Sequence, residues 1–260
     1  MSWKEDLSAI REKIRKNEYN GHTAGLAPGR VQANLVMLPK EQALDFLIFC
    51  TRNPKPCPLL DVLEPGIYGP NIAPGCDLRT DIPKYRIYHN GGLLAEVPDI
   101  RDYWRKDLAS FLLGCSFTFE TLLLAAGFSM RHIEQGTVNP MYITNIQCKP
   151  AGPFRGPIVV SMRPIPASRI AEVVRITARI PLAHGAPIHV GEPAAIGIAD
   201  LNKPDWGAPV EIKEGELPVF WACGVTPQAV AHASRVPFMI THAPAHMFIA
   251  DLWDRDLMEY

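Results

Sequence analysis

The sequence predicts a mixed, layered α/β fold with a larger domain and a smaller inserted α/β domain. Three observations lead there. Proline makes up 25 of the 260 residues, about twice its usual frequency. None falls in residues 1–27 or 99–139, so long helices have most room in those gaps. Asn90-Gly91 separates two extended runs, the strongest short-range hairpin signal. Helix-like and strand-like segments also follow one another without strict alternation, which argues against a simple doubly wound sheet.

Each element has its own local reason. In the first proline-free gap, Ser2 can cap a helix running to about Lys16, with Glu5 as the capping-box carboxylate. Pro39 to Phe49 reads as a helix with proline in its first turn. Tyr85 to Val97 is the hairpin. In the second gap Leu108, Phe111, Leu112, Cys115, Phe119, Leu122, Leu123 and Ala126 fall at helical spacing, which predicts one central helix. Met141–Ile146, Pro157–Met162, Ile196–Ala199, Val210–Lys213, Val219–Cys223 and Phe238–Thr241 read as strands. Further helices are expected from Ser168 to Thr177 and from Thr226-Pro227, an N-cap followed by proline at the first helical position. Residues 137–216, richer in β-branched residues and proline, are assigned to the inserted domain. Residues 1–136 and 217–260 form the main mixed α/β domain.

Composition narrows the function classes. A hydrophobic share of 47% is ample for a core. Lys and Arg number 26 against 27 Asp and Glu, a net charge of -1 with no basic stripe, so no nucleic-acid partner is expected. The polar, acidic start Met1-Ser-Trp-Lys-Glu-Asp6 is not a secretory signal. Leu108–Phe128 has the length of a bilayer span. Its middle holds Glu120, which would cost roughly 3 kcal/mol in lipid. A cytoplasmic protein without a membrane partner is therefore expected. Cys50, Cys57, Cys76, Cys115, Cys148 and Cys223 form no CxxC pair and read as reduced thiols.

No phosphate-binding loop, dinucleotide fingerprint, HExxH or GxSxG occurs. Candidate chemistry rests on smaller constellations. His184 and His189 share one short string and His242 and His246 another. Histidine suits acid–base work, metal binding or a plain loop hydrogen bond. A divalent metal would need a further ligand such as Asp200, Glu192 or Asp251. Asp77, Arg79, Asp81, Lys84 and Arg86 crowd ten residues, either a solvated turn or a carboxylate clamp. Ser116 and Glu120 sit four apart on the central helix. A buried Glu120 needs a cationic partner or protonates. Cys115 beside them reads as a small core residue. The Cys223-Gly224-Val225-Thr226 turn aims backbone N–H groups past a strand end, which suits a carboxylate or oxyanion and would lower the pKa of a thiol facing it. Asn53, Lys55 and Cys57 lie on a stiff proline-rich loop, and Asn145 and Arg163 flank strands.

Several strings resemble one family, the YcsI-like hydro-lyases grouped with D-glutamate cyclase. They run in order across residues 20–252. The earlier ones are Thr23-Ala-Gly-Leu-Ala-Pro-Gly-Arg-Val-Gln-Ala-Asn-Leu-Val, Cys50-Thr-Arg-Asn-Pro-Lys-Pro-Cys-Pro-Leu-Leu and Asp77-Leu-Arg-Thr-Asp-Ile-Pro-Lys-Tyr-Arg. Leu113-Gly-Cys-Ser-Phe-Thr-Phe-Glu, Pro140-Met-Tyr-Ile-Thr-Asn, Gly156-Pro-Ile-Val-Val-Ser-Met-Arg-Pro and His184-Gly-Ala-Pro-Ile-His follow. Phe220-Trp-Ala-Cys-Gly-Val-Thr-Pro-Gln and Thr241-His-Ala-Pro-Ala-His-Met-Phe close the series. Where the family often has glycine, this chain has Ala245.

The resemblance implies a two-part mixed α/β fold and a lyase that eliminates water from a small carboxylate or amino acid; for the cyclase, D-glutamate becomes 5-oxo-D-proline. From the residues, Arg79 and Arg86 would hold carboxylates, with Ser116, Asn145 and Thr226 adding polar contacts. His184 or His189 would serve as acid or base. Amides near Gly224 would stabilise an oxyanion, and Glu120 or Asp81 would tune these groups. The rivals are a metal-assisted dehydratase of a hydroxy acid and a non-catalytic carboxylate-binding regulatory module. A homo-oligomer is compatible with either.

Overall fold

The computed structural model describes residues 6–259. The expected Ser2 and Glu5 cap lies outside the described residues. Helix α1 (Leu7–Arg15) is capped by Asp6, whose carboxylate accepts from the Ser8 amide.

Strand β1 (Arg30–Pro39) is the spine of the molecule. Its side chains alternate between two cores: Val31, Ala33, Leu35 and Met37 enter one, Val36 and Leu38 the other. Pro39 ends the strand and caps helix α2 (Lys40–Arg52), one residue outside the helix it was expected to open. Helix α2 covers one face of the sheet, where Phe46 packs edge-on against Phe111 and Phe154. Strand β2 (Leu59–Leu63) follows. The hairpin forms as read, with β3 (Tyr85–His89) and β4 (Gly92–Val97). Asn90 and Gly91 have φ of 50° and 77°, as a type I′ turn requires.

The expected central helix is two elements. Residues Leu108–Gly114 form strand β5, and only Ser116–Ala125 form helix α3. Strand β5 lies between β1 and β2 and is buried on both faces. Such a strand shows no apolar–polar alternation and cannot be told from a buried helix by periodicity. At its end, a Cβ on Gly114 would overlap the carbonyl oxygen of Leu182.

The remaining elements are α4 (Arg131–Glu134), β6 (Met141–Gln147), β7 (Pro157–Pro166), α5 (Ile170–Ala178), β8 (His189–Val190), β9 (Glu216–Ala222), α6 (Thr226–Ala233), β10 (Phe238–His242) and β11 (Phe248–Trp253). Two expected strands are absent. Pro193–Ile196 is a 3-10 turn that stops at Gly197, in the left-handed region and pressed against Asn145. Residues 210–213 run without strand pairing. The apolar side chains of both segments still pack on the smaller sheet, which explains their strand-like pattern.

Two sheets result: a seven-stranded one in the order β2-β5-β1-β10-β3-β4, with β11 also on β1, and a four-stranded one in the order β6-β7-β9-β8. Every named strand pair is antiparallel. The smaller sheet takes in β9, which crosses the expected boundary at 216. Its Val219 and Trp221 share a core with Leu35 and Leu112 of the larger sheet. Among the described residues no helix is long and apolar enough to cross a membrane.

Gly114→Ala should lower the unfolding free energy by about 3 kcal/mol, because backbone rather than a mobile side chain blocks the new methyl. Urea denaturation checks this.

Candidate active site

Two strand-to-helix turns, one from each sheet, open on the same cleft. Strand β5 ends at Gly114, and Cys115 caps α3. Strand β9 ends at Ala222, and Cys223-Gly224-Val225 leads into α6. The cleft is tightly closed, with a cavity volume of about 10 Å³, room for about one water molecule. Cys115, Ser116 and Phe117 line it from the first turn, and Cys223 and Val225 from the second. Asn34 of β1, Asn139 and Met141 near the start of β6, and His242, Ala245 and Met247 complete the wall. The Thr118 amide bonds the Cys115 carbonyl, Thr226 the Cys223 carbonyl and Gln228 the Val225 carbonyl, and Pro227 has no N–H; what the two helix starts offer the cleft is the positive end of each helix dipole.

The two turns meet through Asn34. Its Nδ2 donates to the Gly114 carbonyl at 2.6 Å, and a Cβ on Gly224 would overlap its amide. Glycine at 224 is thus required by close approach, with Asn34 rather than with a ligand. Thr226 does not cap α6; Val225 does. The Thr226 hydroxyl instead donates to the Cys223 carbonyl at 2.7 Å and accepts from the Val159 amide at 3.1 Å, fixing the turn to β7.

His242 holds the most informative position. Along one edge of β1, β10 pairs with Val36 and Met37, and β11 pairs with Arg30, Gln32 and Ala33. The imidazole fills the gap between them: the Leu35 amide donates to its Nδ1 at 3.2 Å. The Leu35 carbonyl lies 3.4 Å from the same nitrogen; the shorter contact, to an amide that would lose its acceptor if Nδ1 carried the proton, assigns the proton to Nε2. Nε2 is buried, has no hydrogen-bond partner, and belongs to a ring that lines the cleft. Burial pulls the His242 pKa down to about 3. The ring therefore offers the cleft a neutral N–H donor.

Behind Ser116 lies a fully enclosed ion pair. Arg163 donates through Nε to Glu120 Oε1 at 2.9 Å and through Nη2 to the same oxygen. Nη2 also donates to Ser116 Oγ at 2.9 Å, and Nη1 to Ser161 Oγ at 2.6 Å. His132 Nε2 stands 3.3 Å from Glu120. Burial alone would raise the Glu120 carboxyl, but His132 and Arg163 outweigh it and hold it at about 2. Arg163 was expected only as a residue flanking a strand; its role was hidden because its partner lies 43 residues away.

The other expected residues scatter. Arg79 grips Asp77 in a two-pronged ion pair and stacks on Tyr68. Asp81 is buried under Arg15, accepting from its Nε at 2.8 Å and its Nη2 at 2.6 Å, so it anchors α1. Arg86 contacts Glu96 and Gln228; Gln228 bonds the His242 carbonyl, which places Arg86 one contact behind the cleft. His189 bonds the Glu192 carbonyl, and Asn145 is exposed on β6. Neither lines the cleft. His184 is buried, with Nδ1 2.6 Å from the Lys55 carbonyl and Nε2 unpartnered; burial lowers its pKa to about 4. It too is absent from the cleft wall. Cys223 corrects an expectation of sign: burial outweighs the helix end and pushes the thiol up to about 11. Among the described residues, no three His, Cys, Asp or Glu side chains are grouped to hold a metal ion. Of the suggested ligands, Asp251 pairs with Arg11, Asp200 with its own turn, and Glu192 caps a 3-10 turn.

The sequence pattern that defines the D-glutamate cyclase family matches residues 109–251. The chain belongs to the D-glutamate cyclase family. It is 60% identical over 255 residues to a protein of Stutzerimonas stutzeri strain A1501, covering 97% of this chain and 96% of that one. A protein of Thermoanaerobacter sp. strain X514 is 62% identical, with 96% and 95% covered. One from Natranaerobius thermophilus is 57% identical over the full length of both. All three carry the name "Putative hydro-lyase". The strings around residues 23–36, 113–120, 140–145, 220–228 and 241–248, which carry the family resemblance, all contribute residues to the cleft wall. Ala245 has φ of 66°, a left-handed conformation that glycine adopts without strain.

The buried histidines set the acid limit of stability. Their folded pKa values lie below the ordinary 6.5, so the unfolded chain binds the extra protons as the pH falls. Stability should be full above about pH 6.5 and decline towards pH 3. His242→Gln should flatten part of that decline, as read by urea midpoints across the range.

Proposed function

We propose that this chain is a carbon–oxygen lyase that eliminates water from a small carboxylate at the cleft between α3 and α6. Cyclisation of D-glutamate to 5-oxo-D-proline is the reaction that fits it best. One observation carries the reading: two helix N-termini and the unpartnered Nε2–H of His242 meet in one cleft built from the family's strings.

The chemistry needs three things. The substrate must fold so that its amine meets the distal carbonyl carbon; the cleft has to widen to admit it, and its walls then supply that proximity. One carboxylate docks at a helix N-terminus. The oxyanion formed when nitrogen attacks the other carboxyl is met by the helix dipoles and by His242 Nε2–H. The ammonium gives up one proton before its nitrogen attacks and a second after the carbon–nitrogen bond has formed; these two protons go with the departing oxygen, which leaves as water as the carbon–oxygen bond breaks. Arg163 donates to Ser116 Oγ, which leaves the serine O–H free to donate into the cleft. Glu120 holds Arg163 in that position. The carboxylate-binding role first expected of Arg79 and Arg86 passes to the helix ends. The groups expected to move protons, His184 and His189, lie off this wall.

Purified protein incubated with D-glutamate, L-glutamate and hydroxy acids, with and without EDTA, tests the reading by NMR of products. D-glutamate should give 5-oxoproline in either condition. His242→Ala should lower kcat/KM by roughly 100- to 1,000-fold, while Arg79→Ala and His189→Ala stay within about threefold. Turnover lost only in EDTA would favour the metal-assisted dehydratase. Tight carboxylate binding without any turnover would leave the regulatory module.

A further inference from the structure

A second cavity lies along the same face of β1 as the cleft. Val31, Ala33, Leu35 and Met37 turn into one core, so Arg30, Gln32 and Asn34 share the opposite face, about 6.7 Å apart in succession. Asn34 lines the cleft, whereas Arg30 and Gln32 line the second cavity with Glu120 of α3. Its volume is about 70 Å³, several times what one water needs. Phe117 lines both spaces, which makes them neighbours.

Three polar groups on this wall have unmet capacity. Gln32 Nε2 donates to the Thr23 and Leu26 carbonyls at 3.0 and 3.2 Å, which uses both its hydrogens and fixes the orientation of the amide. Gln32 Oε1 is buried without a hydrogen-bond partner, on a residue only 3% exposed. Buried amide oxygens are almost always met, so this one calls for a donor from the cavity. Glu120 accepts from Arg163 twice, both times on Oε1, and His132 approaches the same oxygen. Its Oε2 takes no hydrogen bond among the described residues. Arg30 donates through Nη1 to the Asp251 carbonyl and lies over the Trp253 ring. No carboxylate pairs with it among the described residues.

Two acceptors, one of them anionic, therefore stand beside a cation. A simple amine would bring another positive charge close to Arg30 and Arg163, whereas a zwitterion adds no net charge. In an α-amino acid the nitrogen and the carboxyl carbon are about 2.5 Å apart. With a hydrogen bond of about 2.9 Å at each end, such a head group spans the roughly 6.7 Å from Gln32 to Arg30. Leu26, Leu124 and Ile133 supply apolar wall for a small side chain.

We propose that this cavity binds the head group of a free α-amino acid, its ammonium held by Gln32 Oε1 and Glu120 Oε2 and its carboxylate by Arg30. The site goes beyond the lyase reading, because binding here requires no turnover in the cleft.

Isothermal titration calorimetry on the intact chain tests this. The probes are D- and L-alanine, which carry the head group and have no distal carboxyl to cyclise. Alanine of at least one hand should bind at millimolar concentration or tighter. Propionate and ethylamine, each lacking one half of the head group, should bind at least about tenfold more weakly. Gln32→Met and Arg30→Met should each weaken alanine binding by at least about tenfold. Gln32 also holds the 23–26 loop, so a variant at an exposed position guards against misfolding. Leu124 lines the cavity and is 47% exposed, and the indole of Leu124→Trp should abolish alanine binding without lowering the melting temperature. Three results overturn the site: no binding of either alanine, ethylamine binding as tightly as alanine, or alanine affinity unchanged in Arg30→Met and Leu124→Trp. NMR of D-glutamate products keeps the two readings apart. 5-Oxoproline without alanine binding leaves the lyase reading and sinks this one, and alanine binding without 5-oxoproline does the reverse.

Discussion

The gap along β1, filled by an imidazole instead of a strand, is the constraint on which the site depends. A central strand must satisfy its amides on both edges. Here β10 leaves at His242 and β11 joins at Phe248, so the Leu35 amide has the His242 ring in place of a strand partner on that side. One hydrogen bond therefore completes the ladder, sets the tautomer and turns the remaining N–H towards the cleft. The loop that makes this possible, residues 243–247, places Ala245 in the left-handed region. Structural satisfaction and ligand recognition are met by the two nitrogens of one side chain.

The Arg163–Glu120 pair is the second fixed point, and it behaves differently. Removing two charges from water is costly, and the attraction between them repays it only when the remaining hydrogen bonds are also made. Ser116, Ser161 and His132 surround the pair, so the network is well supplied with partners. It ties α3 of the larger sheet to β7 of the smaller one, and so sets how the two helix starts face each other. Its net contribution to stability is small for so large a burial; its effect is on geometry.

Close packing adds a third restraint. Asn34 bonds the Gly114 carbonyl and lies against Gly224, joining the two turns across the base of the cleft. Gly114 and Gly224 are both glycines for lack of space, not for backbone freedom. A methyl at either position would push the turns apart and misplace the helix starts that an anion meets.

Much of the molecule was legible in the sequence because its signals are local. The Asn90-Gly91 hairpin, α5, the start of α6, and the strands β6, β7, β9 and β10 follow from turn chemistry, proline position and alternation. The family strings marked where the cleft walls would come from. By contrast β1, β2, β5 and β11 were not read as strands: β1 and β5 are buried on both faces and so show no apolar–polar alternation, and the apolar run of β5 passed for a helix. The charged string around Arg79 and Asp81 looked like a ligand clamp; only the fold supplied Tyr68 and Arg15 as its partners. The reverse held for Cys115, read as a small core residue, and for Asn34, which drew no notice in the string; His242 stood out only as one of a histidine pair. The sequence by itself determined the fold class, the family and the local turns, since these depend on neighbours in the chain. Tertiary structure alone decided which side chains share the cleft and which nitrogen of His242 bears the proton, because both depend on residues far apart in sequence.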